Sequence, residues 1–185
     1  MNAHKISPLF LVAAACFSGI GVQARQQDVP EKGAATTQTK GDALEQTGEI
    51  QNGFTLDTRY DKVFFKDGEP IIVTLRLKNL RPTTEIFIRH SDVQNFGVKV
   101  TTGDGKPVPL TKYGSMMYKM PVVGSSIQVR MKPGDEVTGK LSINRIYDMS
   151  VDGKYNITIS TQVDTDQDRT LITSKTTSVT VAYEG

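Results

Sequence analysis

Apolar and polar side chains alternate along most of the chain after residue 54, and this alternation constrains the fold more than any other feature. In the clearest run, the odd-numbered positions from 71 to 77 are Ile, Val, Leu and Leu. A period of two places successive side chains on opposite faces of a strand, so one face is buried and the other faces solvent. Similar runs cover residues 127–132, 137–143, 155–163 and 178–183, and less regular runs lie near 54–65, 85–90 and 96–101.

Turn-forming residues separate these runs. They include Asp67-Gly68, Arg81-Pro82, Pro133-Gly134 and Asp152-Gly153, and their backbone preferences favour chain reversals. No stretch shows a convincing helical period. About seven to nine short strands with polar outer faces predict an all-β protein, an immunoglobulin-like Greek-key β-sandwich.

The first 24 residues have the composition of a secretory signal peptide. Lys5 precedes a stretch of mostly apolar or small residues, and Val22-Gln23-Ala24 resembles a cleavage site. The only cysteine, Cys16, follows three alanines, which is a degenerate form of the bacterial lipoprotein signal, so lipidation at Cys16 is the alternative. Cleavage after Ala24 would leave no cysteine and a disulfide-free domain. Both routes predict a bacterial periplasmic or secreted protein.

Residues 25–50 are rich in Gln, Thr, Gly and charged residues and contain few large apolar side chains. A segment of this composition cannot bury enough apolar surface to offset its loss of conformational entropy. We therefore expect a flexible, disordered linker at 25–50 and a sandwich domain at 51–185.

The charge of the chain makes no case for nucleic-acid binding. The sequence has 22 Lys and Arg against 20 Asp and Glu, and removal of residues 1–24 takes away Lys5, leaving 21 against 20 and a net charge of +1. The sequence has no cluster of Lys and Arg, so no nucleic-acid partner is expected.

One window, residues 143–159, combines aspartate and tyrosine side chains. Tyr155 stands at the head of a predicted strand, two residues after Gly153. This placement is typical of the tyrosine corner of Greek-key sandwiches, in which the hydroxyl bonds to the backbone of the connecting loop. Asp148 and Asp152 lie in that loop, where aspartate stabilises turns by accepting from neighbouring N–H groups. We therefore predict a structural corner at Tyr155, Asp148 and Asp152 instead of an acid–base site.

The segments around this corner resemble a known kind of module. Lys132-Pro-Gly-Asp-Glu, followed by Ile143-Asn-Arg-Ile-Tyr-Asp-Met-Ser-Val-Asp-Gly-Lys-Tyr, is similar to a pattern in the non-catalytic β-domain of deuterolysin-type and lysyl-specific zinc metalloendopeptidases. More loosely, the chain resembles the BsuPI-type proteinase-inhibitor domain. The resemblance implies an accessory or binding domain, with proteinase inhibition as an alternative.

The inventory of reactive side chains argues against an enzyme. After cleavage the chain would keep one histidine, His90, and no cysteine. Cys–His catalysis and multi-histidine metal sites are thereby excluded, and a Ser-His-Asp triad would have to use His90. His90 continues the alternation of Ile86 and Ile88 at a strand end, and no serine lies in a nucleophile-elbow motif. We predict a non-enzymatic protein without a cofactor.

Asp164, Asp166 and Asp168 resemble the start of a calcium loop. The sixth position of such a loop is Arg169 here instead of Gly, and the twelfth is Lys175 instead of Glu, so an EF-hand is excluded. A weak calcium site and a solvent-exposed hairpin tip are the two interpretations that remain.

Residues 111–126 contain an unusual excess of methionine and tyrosine. The segment could cap an open end of the sandwich, form an adaptable contact surface, or bind Cu(I) through thioether sulfurs. The preferred prediction is a surface that recognises another protein, with a protease among the candidate partners. Its residues would be Tyr113, Met116, Met117, Tyr118 and Met120.

Overall fold

The computed structural model describes residues 43–121, 126–165 and 169–182. In these residues two β-sheets pack face to face around one hydrophobic core. The predicted all-β, immunoglobulin-like sandwich is confirmed, and with one cysteine in the whole sequence it contains no internal disulfide.

The first sheet has four strands, each antiparallel to its neighbour. In spatial order they are β1 (Leu44–Gln46), β2 (Phe54–Tyr60), β4 (Ile72–Asn79) and β8 (Glu136–Ser142). The central strand β4 shows the predicted alternation. Its odd-numbered residues are buried, the last of them being the polar Asn79, and its even-numbered side chains are half-buried on the outer face.

The second sheet is organised around one long strand. Its path is β3 (Phe64–Lys66), β11 (Thr177–Ala182), β9 (Gly153–Asp164), β5 (Glu85–Arg89) and β7 (Ile127–Met131). Two further strands, β6 (Phe96–Thr102) and β10 (Arg169–Thr173), also pair with β9. Because β9 has 12 residues, its first part pairs with β11 and β6 and its last part pairs with β10 and β5.

Within the described residues, three short helices interrupt the strands: α1 (Asp92–Asn95), α2 (Lys112–Lys119) and α3 (Ile143–Ile146). The sequence shows no convincing helical period, yet residues 112–119 form a helix, so the expectation was wrong there. Eight residues are too few for a periodic signal to stand out. Among the helices that the structure describes, none has the length and apolar content needed to cross a bilayer.

The edge strand β7 departs from the simple alternation. Its predicted inward positions are 127, 129 and 131, yet Ile127 is 62% exposed and only Met131 is fully buried. β7 is the last strand on the path of the second sheet, and burial decreases from Met131 towards Ile127.

The sandwich begins before the predicted boundary at residue 51. Leu44–Gln46, inside the segment expected to be a flexible linker, pairs with β2 as strand β1. Polar contacts hold this strand, because Glu45 accepts from Arg76 at 3.1 Å and Gln46 accepts from Thr177 at 2.9 Å. A composition argument counts apolar burial and does not detect such contacts. The predicted signal peptide, Cys16 and the rest of residues 1–42 lie outside the described residues.

Candidate functional site

The first turn of α2 is tied to α3. The Thr111 hydroxyl oxygen accepts from the backbone N–H of Gly114 at 3.0 Å, which caps the helix. The same hydroxyl donates to the carbonyl oxygen of Arg145 at 2.7 Å, and the Thr111 N–H donates to the Ile146 carbonyl at 2.9 Å. One residue therefore starts the helix and fixes its position on α3.

Gly114 allows α2 to lie directly against α3. A Cβ at this position would be 2.1 Å from the carbonyl oxygen of Ile146, far inside van der Waals contact. Any side chain would push the two helices apart.

Tyr113, the residue before Gly114, faces the sandwich. It packs half-buried against the hydrophobic core, and the guanidinium carbon of Arg145 lies 4.1 Å from its ring centroid. A guanidinium at this distance makes a cation–π contact. Tyr113 and Arg145 thus join α2 to α3 a second time.

The hydroxyl of Tyr118 points inward although its ring is 40% exposed. Burial raises the pKa of Tyr118, while contacts with the Val98 carbonyl and the Tyr147 hydroxyl oppose that rise. Tyr147 also donates a hydrogen bond to the Val98 carbonyl oxygen. Burial, followed by the neighbouring Tyr118, raises the pKa of Tyr147 to about 12. Both phenols therefore stay neutral at ordinary pH and hold the end of α2 against β6.

The outward side of α2 is apolar. Met116 and Met120 are 52% and 51% exposed, and the N–H of Met120 donates to the Met116 carbonyl at 2.9 Å, so the two residues lie one turn apart. Met117 is half-buried on the inner side. We call the exposed pair of Met116 and Met120 the α2 surface.

The charged side chains of α2 itself are basic. Lys112 and Lys119 are exposed at the two ends of the helix, and Arg145 lies beside it on Tyr113. The sequence from residue 108 to residue 121 contains no acidic residue. Anionic groups are therefore favoured next to this surface.

The structure separates the five residues predicted for this site. Tyr113 and Met117 are half-buried, whereas Met116 and Met120 form the α2 surface. Tyr118 is partly exposed, but its hydroxyl contacts the Val98 carbonyl and Tyr147. The sequence reading missed the residues that position the helix: Thr111, Gly114, Arg145 and Tyr147. A capping threonine three residues before a glycine, followed by apolar residues four apart, was the available signal. Binding of Cu(I) by these methionines stays a prediction.

The corner, residues 147–155, has the geometry that a tyrosine corner requires. The Tyr155 hydroxyl donates to the carbonyl oxygen of Val151 in the connecting loop, and Asp148 accepts from the Ser150 hydroxyl at 2.7 Å. Burial is the main cause that raises the pKa of Tyr155, with a smaller contribution from the charges of Asp148 and Asp152. Asp148 thereby takes part in turn formation, and Asp152 lies in the same loop. They also border a cleft of about 320 Å³ whose other walls include Pro107 and Pro109.

Asp164 lies at the end of β9 and pairs with Arg169 at 2.9 Å. The other two aspartates of the calcium hypothesis, Asp166 and Asp168, lie outside the described residues. Across the parts of the chain that the structure describes, no three His, Cys, Asp or Glu side chains come close enough to hold a metal ion.

No protein-family model and no curated protein matches the chain. Among solved structures, it is similar to the C-terminal domain of Wzt, with 11% sequence identity and a TM-score of 0.46 over 80% of this chain and 84% of that one. It is also similar to a β-glucosidase from Listeria innocua in complex with glucose, with 14% identity and a TM-score of 0.34; the match covers 77% of this chain and 16% of the glucosidase. The resemblance to deuterolysin-type β-domains and to the BsuPI-type inhibitor domain stays a prediction.

Proposed function

We propose that this chain is an exported, non-enzymatic binding module that recognises another protein through the α2 surface. The observation that carries the proposal is the exposure of Met116 and Met120, one turn apart, on a helix whose other side is fixed to the sandwich. Methionine side chains are flexible and polarisable, so they adapt to a partner of varied shape.

The rigid base of α2 supports this function. Thr111 and Gly114 hold the start of the helix against α3, and Tyr118 holds its end. A partner that contacts the helix therefore does not have to order it, and the entropy cost of binding is reduced.

The charge around the surface indicates what the partner presents. Lys112 and Lys119 flank the exposed methionines, with no acidic residue nearby in the sequence. We expect an apolar patch bordered by Asp or Glu, because such a surface complements both the thioethers and the lysines.

Site-specific photo-crosslinking in the producing cells tests the proposal. A photoreactive amino acid at position 116 is expected to give one discrete protein adduct that is visible on a denaturing gel. The matched control places the same residue at position 50, where Ile50 is 70% exposed but lies outside α2.

Charge reversal completes the experiment. With the crosslinker at position 116, Lys112→Glu combined with Lys119→Glu should reduce the adduct about tenfold, since each lost charge contact at an interface rim costs up to about 1 kcal/mol. The same adduct at positions 50 and 116, or an adduct that charge reversal leaves unchanged, would show that the α2 surface is not the recognition site.

A further inference from the structure

A groove of about 430 Å³ lies on the second sheet and is lined mainly by residues of α1, β5, β6, β9 and β10. Ser160, Gln162 and Asp164 of β9 line it, and they point away from the core because Thr161 and Val163 between them are buried. The volume is within the range of roughly 300–1,000 Å³ that small-molecule sites occupy.

Gly97, which has no side chain, deepens the groove. Gly97 of β6 pairs with Ser160, and a Cβ on Gly97 would lie 3.2 Å from the Ser160 hydroxyl oxygen. The outer face of the sheet is therefore open between β6 and β9. A side chain at position 97 would project into this space.

Several polar groups in the groove are free to bind a ligand. In the described part of the chain, the Ser160 hydroxyl, the Gln162 amide and the His90 ring make no hydrogen bond or ion pair. The hydroxyl and the amide each offer both a donor and an acceptor, and a neutral imidazole offers one of each. This mixture matches ligand hydroxyl groups, which donate and accept at the same atom.

The charges in the groove cancel. Asp164 and Arg169 lie opposite each other on β9 and β10 and form an ion pair at 2.9 Å. Because the two opposite charges compensate each other, this pair favours neither an anionic nor a cationic ligand. A neutral ligand fits better.

Apolar side chains complete the walls. Leu171 of β10 pairs with Gln162 and is 57% exposed, and Ile88 of β5 borders the groove from the other side. These aliphatic groups suit the C–H faces of a ring that carries hydroxyl groups.

We propose that this groove binds a neutral sugar unit of a glycan, with Ser160, Gln162 and His90 bonding its hydroxyl groups and Leu171 and Ile88 contacting its C–H faces. The groove is open at the surface, so a longer saccharide can pass through it. This site is separate from the α2 surface and does not depend on the function proposed for that surface.

The test is an NMR titration of the isotope-labelled full chain with three neutral trisaccharides: maltotriose, cellotriose and triacetylchitotriose. At least one is expected to shift the amide signals of Gly97, Ser160 and Leu171 in a saturable manner at millimolar concentration. Glucuronic acid and glycerol are the comparison probes. The proposal is overturned if no trisaccharide shifts these signals, if glycerol shifts them equally, or if glucuronic acid binds more tightly than every neutral sugar.

Two pairs of variants locate the site, using the sugar that binds. Gly97→Leu should abolish binding by filling the groove, whereas Lys99→Leu, two residues along the same exposed face of β6, should bind as the wild type does. Gln162→Ala should weaken binding about tenfold through one lost hydrogen-bonding side chain, whereas Gln128→Ala on the edge strand β7 should not. Unchanged affinity in Gln162→Ala and in a folded Gly97→Leu would overturn the proposal.

Discussion

The corner and the α2 segment, residues 111–120, both connect strands and both contain tyrosine and methionine, yet they use these side chains differently. In the corner, Met149 is buried, Tyr147 is 9% exposed, and Tyr155 bonds back to its own loop. In the α2 segment, Tyr113 faces the sandwich while Met116 and Met120 are about half exposed.

This difference separates residues that the fold requires from residues that it does not. In the corner, Tyr147, Met149 and Tyr155 are buried in the core, and only the loop residue Val151 is exposed. The fold accounts for one side of α2 and leaves the other without a structural role. Variants in α2 and in the corner should therefore differ in their free energy of unfolding, according to the contacts that each residue makes.

The largest effect is expected for Gly114→Ala. The added Cβ would meet the Ile146 carbonyl oxygen at 2.1 Å, so α2 must move away from α3, at a cost on the order of 3 kcal/mol. Urea denaturation measures this cost as a lower midpoint. Ser115→Ala, the next residue on the same helix, is the matched control and should change the free energy of unfolding by less than about 0.5 kcal/mol. Equal stability of the two variants would mean that the close approach of the helices contributes nothing.

The second effect concerns alkaline pH. Folding raises the pKa of Tyr147 from 10.0 to about 12, so the folded state favours the neutral phenol. This contribution to stability is complete below pH 10 and is lost as the pH rises from 10 towards 12. We expect it to amount to about 1–2 kcal/mol after allowance for solvent screening.

Tyr147→Phe removes this contribution. The variant lacks the titrating group, so its free energy of unfolding should fall less steeply between pH 10 and 12 than that of the wild type. Urea denaturation at several pH values gives the two slopes. Parallel slopes would show that Tyr147 titrates alike in the folded and unfolded chain.

The strands were predictable because their signal repeats. β4 alternates without interruption and pairs with β2 on one side and with β8 on the other, as a central strand does. The hydrogen bond of Tyr155 to its own loop has a related local signal, since a tyrosine at a strand head is typical of the corner in Greek-key sandwiches. In both cases the information lies within a few residues.

The elements that were missed depend on distant partners. β1 is held by Arg76 and Thr177, and α2 is held by Arg145 and Ile146, more than 25 residues further along the chain. The local amino-acid composition does not indicate these contacts. The groove was missed for the same reason, because Gly97 and Ser160 are neighbours only through strand pairing.

The smallest effect contrasts two tyrosines, one from each connection. Tyr155→Phe removes the hydrogen bond to the Val151 carbonyl and should lower the free energy of unfolding by about 1 kcal/mol. Tyr113→Phe is the matched change in α2, where the hydroxyl forms no hydrogen bond within the described residues and the ring stays beneath Arg145.

We therefore expect Tyr113→Phe to unfold at the same urea concentration as the wild type, while Tyr155→Phe unfolds earlier. Both substitutions remove one oxygen from a tyrosine that packs on the core, so the change in apolar burial is similar and the hydrogen bond is the main difference. Equal losses in the two variants would mean that the corner gains nothing from its hydroxyl. A loss confined to Tyr155→Phe would assign the stabilisation to the bond between β9 and its own loop.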